Sequence, residues 1–160
     1  MNIRLLGPAD LDALLDLYTH LHAQDAPRPE RARVDAVGHA LLDSPAHRVY
    51  GLFVEGALVA SCVLHLLPNL TRGCRPYGLI ENVVTHAEHR RRGHGQAVLE
   101  RALADAWATH CYKVMLLTGR LDAGTFRFYE NAGFDRHGKQ AFVAKPAPAT
   151  LSSSHATKQP

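Results

Sequence analysis

His89-Arg90-Arg91-Arg92-Gly93-His94-Gly95-Gln96-Ala97 joins two unlike segments. Before it, Leu79-Ile80-Glu81-Asn82-Val83-Val84-Thr85 is apolar and β-branched, the pattern of a buried strand. After it, Val98, Leu99, Ala102, Leu103, Ala106 and Trp107 recur at helical spacing. The run is therefore a strand-to-helix turn rich in glycine and arginine. Such a turn leaves backbone N–H groups free at the start of the helix, where the helix dipole favours an anion and arginines add full charges. Gly93 and Gly95 allow a phosphate to approach the backbone closely. The run predicts a site for a phosphorylated ligand. An arginine-rich surface turn that only caps a helix would share some of these features.

Two common phosphate loops are excluded. No Gly-x-x-x-x-Gly-Lys-Ser/Thr string occurs, and Val98 stands where a dinucleotide fingerprint needs its last glycine or alanine. Arg90-x-x-Gly93-x-Gly95 remains. Further along, Cys111-Tyr112-Lys113-Val114-Met115-Leu116-Leu117-Thr118 has the pattern of another buried strand. A short helix follows, containing Phe128-Tyr129-Glu130-Asn131-Ala132-Gly133-Phe134, with Gly133 suited to the left-handed position past a helix end. These two ordered motifs resemble the Arg/Gln-x-x-Gly-x-Gly/Ala loop and the Phe-Tyr-Glu-x-x-Gly-Phe segment of the GNAT family of N-acetyltransferases. The resemblance covers residues 76 to 145. Within the family, Ile80-Glu81-Asn82 and Cys111-Tyr112-Lys113 are most similar to the glucosamine-6-phosphate N-acetyltransferase branch. That branch has an acidic residue after the glutamate, where this chain has Asn82.

Composition sets the class. The chain has 160 residues, 46% hydrophobic and 21% charged, enough for one domain with a real core. No apolar stretch reaches the ~20 residues needed to cross a membrane, and Met1-Asn2-Ile3-Arg4 does not read as a signal peptide. Cys62, Cys74 and Cys111 form no Cys-x-x-Cys pair, so a reduced, cytoplasmic location is the expectation. The net charge of +3 is modest and its basic part is local, which favours a small phosphorylated molecule over nucleic acid. The 11 histidines are scattered without metal-ligand spacing, so no metal is expected.

The pattern predicts a strand at Ile3–Leu6, then a helix capped by Asp10 with Leu11, Leu14, Leu15, Tyr18 and Leu21 on one face. A second helix is expected over Arg31 to Leu42. Arg48 to Val54 and Leu58 to Leu67 predict a hairpin turning at Glu55-Gly56. Phe134 to His137 and Gln140 to Val143 predict two short final strands. Residues 1–145 form one expected domain, and residues 146–160, rich in Ala, Pro, Ser and Thr, an expected disordered tail. The fold class is α+β, and the resemblance implies a mostly antiparallel mixed sheet whose two parallel strands splay apart, flanked by helices.

The resemblance also implies a chemistry, acetyl transfer from acetyl-CoA to an amine. Tyr129 is placed at the leaving thiolate. A phenol of pKa ~10 gives a proton to a thiolate of pKa ~8.5 only uphill, which favours hydrogen-bond donation, with an aromatic that only packs the last helix as the structural alternative. Glu81, a carboxylate in an apolar strand, is the candidate base or anchor for a cationic substrate, with a salt bridge to an arginine as the structural alternative. Alternation puts Glu81, Val83 and Thr85 on one face and Ile80, Asn82 and Val84 on the other. An oxyanion donor is expected in the backbone of Val83, Val84 or Thr85. The phosphate cradle is expected in the N–H groups of Arg91, Arg92, Gly93, His94, Gly95, Gln96 and Ala97, with charge from Arg90 and Arg92. Phe128 belongs to the second motif, and Asp122 or Thr125 stands where the family has an asparagine near the last helix. Asn69, Thr71 and Arg72 are open as acceptor contacts or turn residues. The expected acceptor is a small primary amine: an amino sugar, aminophosphonate, amino acid or polyamine. A protein N-terminus or lysine, or a non-catalytic acyl-CoA sensor, are the alternatives. A homodimer is what the family implies; no nucleic acid or membrane partner is expected.

Overall fold

In the computed structural model, which describes residues 1–22 and 24–146, one five-stranded sheet runs in the order β1-β2-β3-β4-β5. Strands β1 (Asn2–Leu5), β2 (His47–Val54), β3 (Ala57–Leu67) and β4 (Tyr77–Thr85) are antiparallel neighbours. β5 (Val114–Leu116) pairs with β4 in parallel. Helices α1 (Leu11–Tyr18) and α2 (Arg31–Leu42) precede β2, α3 (His94–Ala108) joins β4 to β5, and α4 (Ala123–Asn131) follows β5. No helix among the described residues is long and apolar enough to cross a membrane.

Local chemistry explains the elements. Glu55 and Gly56, at φ 50° and 84°, supply the two left-handed residues that a tight two-residue hairpin requires. α4 ends in a Schellman motif: Phe134 N–H donates to Tyr129 O at 3.1 Å and Gly133 N–H to Glu130 O at 2.9 Å, with Gly133 at φ 92°. The sheet is covered on both faces. On one, Val98, Leu99, Ala102 and Ala106 of α3 pack onto Tyr50, Leu52, Ala60, Leu64 and Ile80. The small Ala102 and Ala106 bring α3 close to the strands, and Tyr50 Oη donates to Asp105 at 2.7 Å. On the other face, Leu14 and Leu17 of α1 pack onto Val49, Val63 and Val84.

Several expectations are corrected. Asp10 stands at the N-cap position of α1, but its side chain makes no capping bond: the carboxylate pairs with Arg4 at 2.6 Å and accepts from Gly7 N–H at 2.9 Å, closing the preceding turn. α1 ends at Tyr18, so Leu21 lies beyond it, and Leu17 is a buried residue of its inner face. Trp107 is 50% exposed rather than part of the core stripe. β5 spans three residues, not the eight of Cys111–Thr118. Phe134 to His137 and Gln140 to Val143 form no strands; Phe142 and Val143 are exposed and have no sheet partner. The tail expected over residues 146–160 lies outside the described residues apart from Pro146.

The most consequential correction is in β4. Between its pairings of Val63 with Glu81 and Ser61 with Val84, β4 carries one extra residue, a β-bulge, with Asn82 at φ 51°. Asparagine is among the side chains that tolerate this backbone. The bulge resets the alternation. Ile80 and Val83 pack on the α3 face, whereas Glu81 pairs with Val63 and shares the opposite face with Val84.

Leu99 is fully buried and ties α3 to the sheet. Leu99→Ala is expected to lower the unfolding free energy by about 2–5 kcal/mol, read by denaturant titration. A loss below about 0.5 kcal/mol would contradict this packing.

Candidate active site

Parallel pairing of β4 with β5 covers only Gly78–Ile80 against Val114–Leu116. β4 then continues to Thr85, while the chain beyond Leu116 turns away toward α4. From Glu81 onward the β5 side of β4 has no strand partner among the described residues. Backbone groups on such an edge seek partners. The gap opens into a cleft of about 1070 Å³, bounded by Ile80–Thr85, the segment 116–120, the start of α3 and the inner side of α4. Its size matches the upper end of the roughly 300–1,000 Å³ of small-molecule sites.

The arginine–glycine turn forms one end of the cleft. Arg91 at φ 61° and Gly93 at φ 80° are left-handed, which turns successive N–H groups to one side as an anion nest. Among the described residues no acceptor takes the N–H groups of residues 91 to 96. Ala97 N–H is different, because it donates to Gly93 O at 3.0 Å. Neither Ala97 nor Arg92 lines the cleft. Arg90 has a positioning part: its Nε donates to Thr85 O at 3.2 Å and its Nη2 to His20 O at 3.0 Å. It thereby fastens the turn to the ends of β4 and α1. The Gln96 side chain donates to Asn131 O at 3.2 Å and binds α4 to α3, leaving its N–H to the cradle. A side chain at Gly95 would crowd its neighbours. A Cβ there would lie 3.0 Å from Thr85 Oγ1 and 3.2 Å from Phe128 Cζ, where β4, α3 and α4 meet.

Glu81 and Tyr129 both line the cleft. The Glu81 carboxylate makes no ion pair among the described residues, so the salt bridge weighed as its alternative does not form. Tyr129 is half-buried, and burial pushes its phenol above the usual value, partly offset by the Arg120 guanidinium. Phe128 packs edge-on against Tyr129 at 4.9 Å and supports it. Thr125 lines the cleft, but its hydroxyl donates to Asp122 Oδ2 at 2.8 Å and its N–H to Oδ1 at 2.9 Å, so this pair caps α4. Val83, Val84 and Thr85 border the cleft, with the Val84 side chain buried on the far face. Asn69, Thr71 and Arg72 do not line it; Asn69 donates to Thr71 O at 2.7 Å inside its own turn.

Sequence reasoning missed His20, Arg120 and Arg127, which also line the cleft. Arg127 precedes Phe128 in the second motif and was within reach of inspection. His20 reaches the site from the end of α1, which no local pattern signals.

Residues 11–134 match the model of the acetyltransferase (GNAT) family. The glucosamine 6-phosphate N-acetyltransferase of Trypanosoma brucei brucei is 31% identical over 143 residues, 88% of this chain and 92% of that protein. Glucosamine 6-phosphate N-acetyltransferase 1 of Dictyostelium discoideum is 27% identical over 94 residues, 59% of this chain and 58% of that protein. Among solved structures, a putative acetyltransferase from Agrobacterium tumefaciens is 41% identical and superposes with a TM-score of 0.85 over 91% of this chain and 100% of its own. The chain belongs to the GNAT acetyltransferase family and is an acetyl-CoA-dependent acyltransferase.

The unpartnered N–H groups of residues 91 to 96 suit the diphosphate of that cosubstrate. Gly95→Val, which forces Thr85 and Phe128 apart, is expected to weaken acetyl-CoA binding roughly 10-fold or more, about 1.4 kcal/mol. Calorimetric titration of folded variant and wild type reads this; equal affinity would contradict the cradle.

Proposed function

We propose that this enzyme transfers the acetyl group of acetyl-CoA directly to the primary amine of a small molecule, with a phosphorylated amino sugar the best-supported acceptor. The observation that carries the reading is that an unpaired carboxylate, Glu81, and a half-buried phenol, Tyr129, line one cleft between β4 and β5 that ends at the free N–H groups of the arginine–glycine turn. Bound acetyl-CoA supplies the electrophile, an acetyl thioester. The chain's own groups do the rest. The turn holds the diphosphate, and the unpaired β4 edge orients the arm that carries the thioester. An ammonium has no lone pair, and the Glu81 carboxylate, directly or through water, takes its proton. Backbone N–H donors of the β4 edge at Val83 to Thr85 meet the charge that develops on the acetyl oxygen. The nitrogen loses its second proton as the C–S bond breaks, and that proton ends on the departing sulfur, so CoA leaves as the thiol; Tyr129, whose raised pKa keeps its own proton in place, donates a hydrogen bond to that sulfur.

Direct transfer is supported by the cysteines. None lines the cleft, and burial pushes the Cys62 thiol up to about 12, far from a reactive thiolate. The acceptor class is supported by charge. Arg90, Arg91, Arg120 and Arg127 line the cleft against only two carboxylates among the described residues, Glu81 and Asp122, the latter bonded to Thr125. This balance suits an acceptor with an amine and an anionic group and opposes a polyamine. The curated relatives named above act on glucosamine 6-phosphate by name. Asn82, which stands where that branch has an acidic residue, occupies the bulge, a position set by backbone conformation as well as by side-chain chemistry.

Release of CoA thiol is to be measured with glucosamine 6-phosphate, glucosamine, spermidine and a peptide with a free N-terminus. The expected order of kcat/KM places glucosamine 6-phosphate first; preference for spermidine or the peptide would overturn the acceptor assignment. Tyr129→Phe is expected to lower kcat on the order of 100-fold while KM for acetyl-CoA changes little. Because the phenol pKa is raised, the protonated donor persists as pH rises, so the wild-type kcat should show no Tyr129-dependent alkaline fall below about pH 10. A fall near pH 8 that disappears in Tyr129→Phe would contradict this role.

A further inference from the structure

A row of imidazoles runs beside the anion cradle, and neither the fold nor the transfer chemistry uses it. His20 follows α1, His86 follows β4, His89 lies in the turn before Arg90, and His94 opens α3. Their ring centroids are 4.0 Å apart for His20 and His86, 5.6 Å for His86 and His89, and 5.9 Å for His89 and His94. His20, His89 and His94 line the cleft, while His86 sits behind them and accepts from Glu88 N–H at 3.3 Å. The Nδ1 atoms of His89 and His94 are buried and have no hydrogen-bond partner among the described residues. Buried polar atoms are normally paired, so these two nitrogens are left unsatisfied in the free protein. A metal ion does not complete them: no group of three His, Cys, Asp or Glu side chains among the described residues is placed to hold one.

The charges around the row decide its protonation. Facing it are the guanidiniums of Arg90 and Arg92 and the Met1 ammonium, with Arg127 of α4 across the cleft. The nearby anions are Glu88 and, in the groove behind His20 and His86, Asp16. Burial first, then the neighbouring imidazoles and arginines, holds His20 and His94 below the usual histidine value. His20 and His94 are therefore neutral at pH 7 in the free protein. A diphosphate placed against residues 91 to 96 brings negative charge to the same spot and reverses the field.

We propose that His94, with the His89 ring packed beside it, forms a protonatable extension of the anion cradle, so that acetyl-CoA binding takes up a proton near neutral pH. This rests on the assignment of the cleft to acetyl-CoA. Neighbouring rings 5.9 Å apart repel when both are charged, so uptake is about one proton rather than two. The sign follows from linkage. The bound-state pKa lies above the free-state pKa, so affinity is lowest above the bound-state value. It rises as pH falls through the window between the two, and levels off below the free-state value.

The test is calorimetric titration at pH 7 in buffers of different ionisation heat, whose slope counts protons. The probes are acetyl-CoA and its 3′-dephospho form, because the 3′-phosphate has its own pKa near 6 and would release a proton of its own. The expected result is uptake of about one proton with the dephospho form, lost in His94→Asn and reduced in His89→Asn, each checked by thermal melting. Binding without proton uptake in the wild type would overturn the proposal, as would uptake that survives both substitutions together. Absence of binding at every pH would instead overturn the assignment of the cleft, and the row's role with it.

Discussion

The parting of β4 from β5 after Ile80 is the constraint on which the rest of the structure depends. Two parallel strands that pair for three residues and then diverge leave backbone polar groups without partners in a half-buried place. Such groups are costly unless something bonds them. On the other side β3 pairs with β4 from Tyr77 to Thr85, interrupted only at the bulge. The opening is therefore a rigid slot rather than a frayed edge. The bulge at Asn82 lies on its wall and turns Glu81 to the opposite face from Ile80 and Val83.

Everything at the slot is fixed from outside it. α3 is seated on the sheet by Val98, Leu99, Ala102 and Ala106, all fully buried, so its N-terminal N–H groups cannot drift. Arg90 bonds the ends of β4 and α1 through carbonyls, and Gln96 bonds the last turn of α4. Gly95 lets these three pieces meet at van der Waals distance. Preorganised donors of this kind need no rearrangement when an anion arrives, so little binding energy is lost to ordering them.

Local chemistry was legible in the chain and long-range register was not. The arginine–glycine turn could be read because glycines, arginines and the switch from strand to helix pattern all fall within Leu79 to Trp107. The hairpin at Glu55-Gly56 and the end of α4 at Gly133 could be read for the same reason. The bulge could not: a strict period of two carries no sign of an inserted residue, and so it placed Glu81 with Val83 instead of with Val84. The eight-residue apolar run at Cys111–Thr118 gives only three residues of β5, because pairing needs a partner in register and β4 offers it only at Gly78–Ile80. Phe142 and Val143 have strand-like chemistry but no strand beside them. The histidine row joins residues from α1, the end of β4 and α3, a closeness that only the folded chain creates.

The most direct test of the central claim is backbone amide hydrogen exchange, resolved by residue, with and without acetyl-CoA. Protection is predicted for the amides of residues 91 to 96 and for the unpaired β4 edge between Glu81 and Thr85, with the α1 and α2 amides unchanged. Binding without protection at either place, or protection confined to another surface, would contradict the assignment of the slot to the cosubstrate.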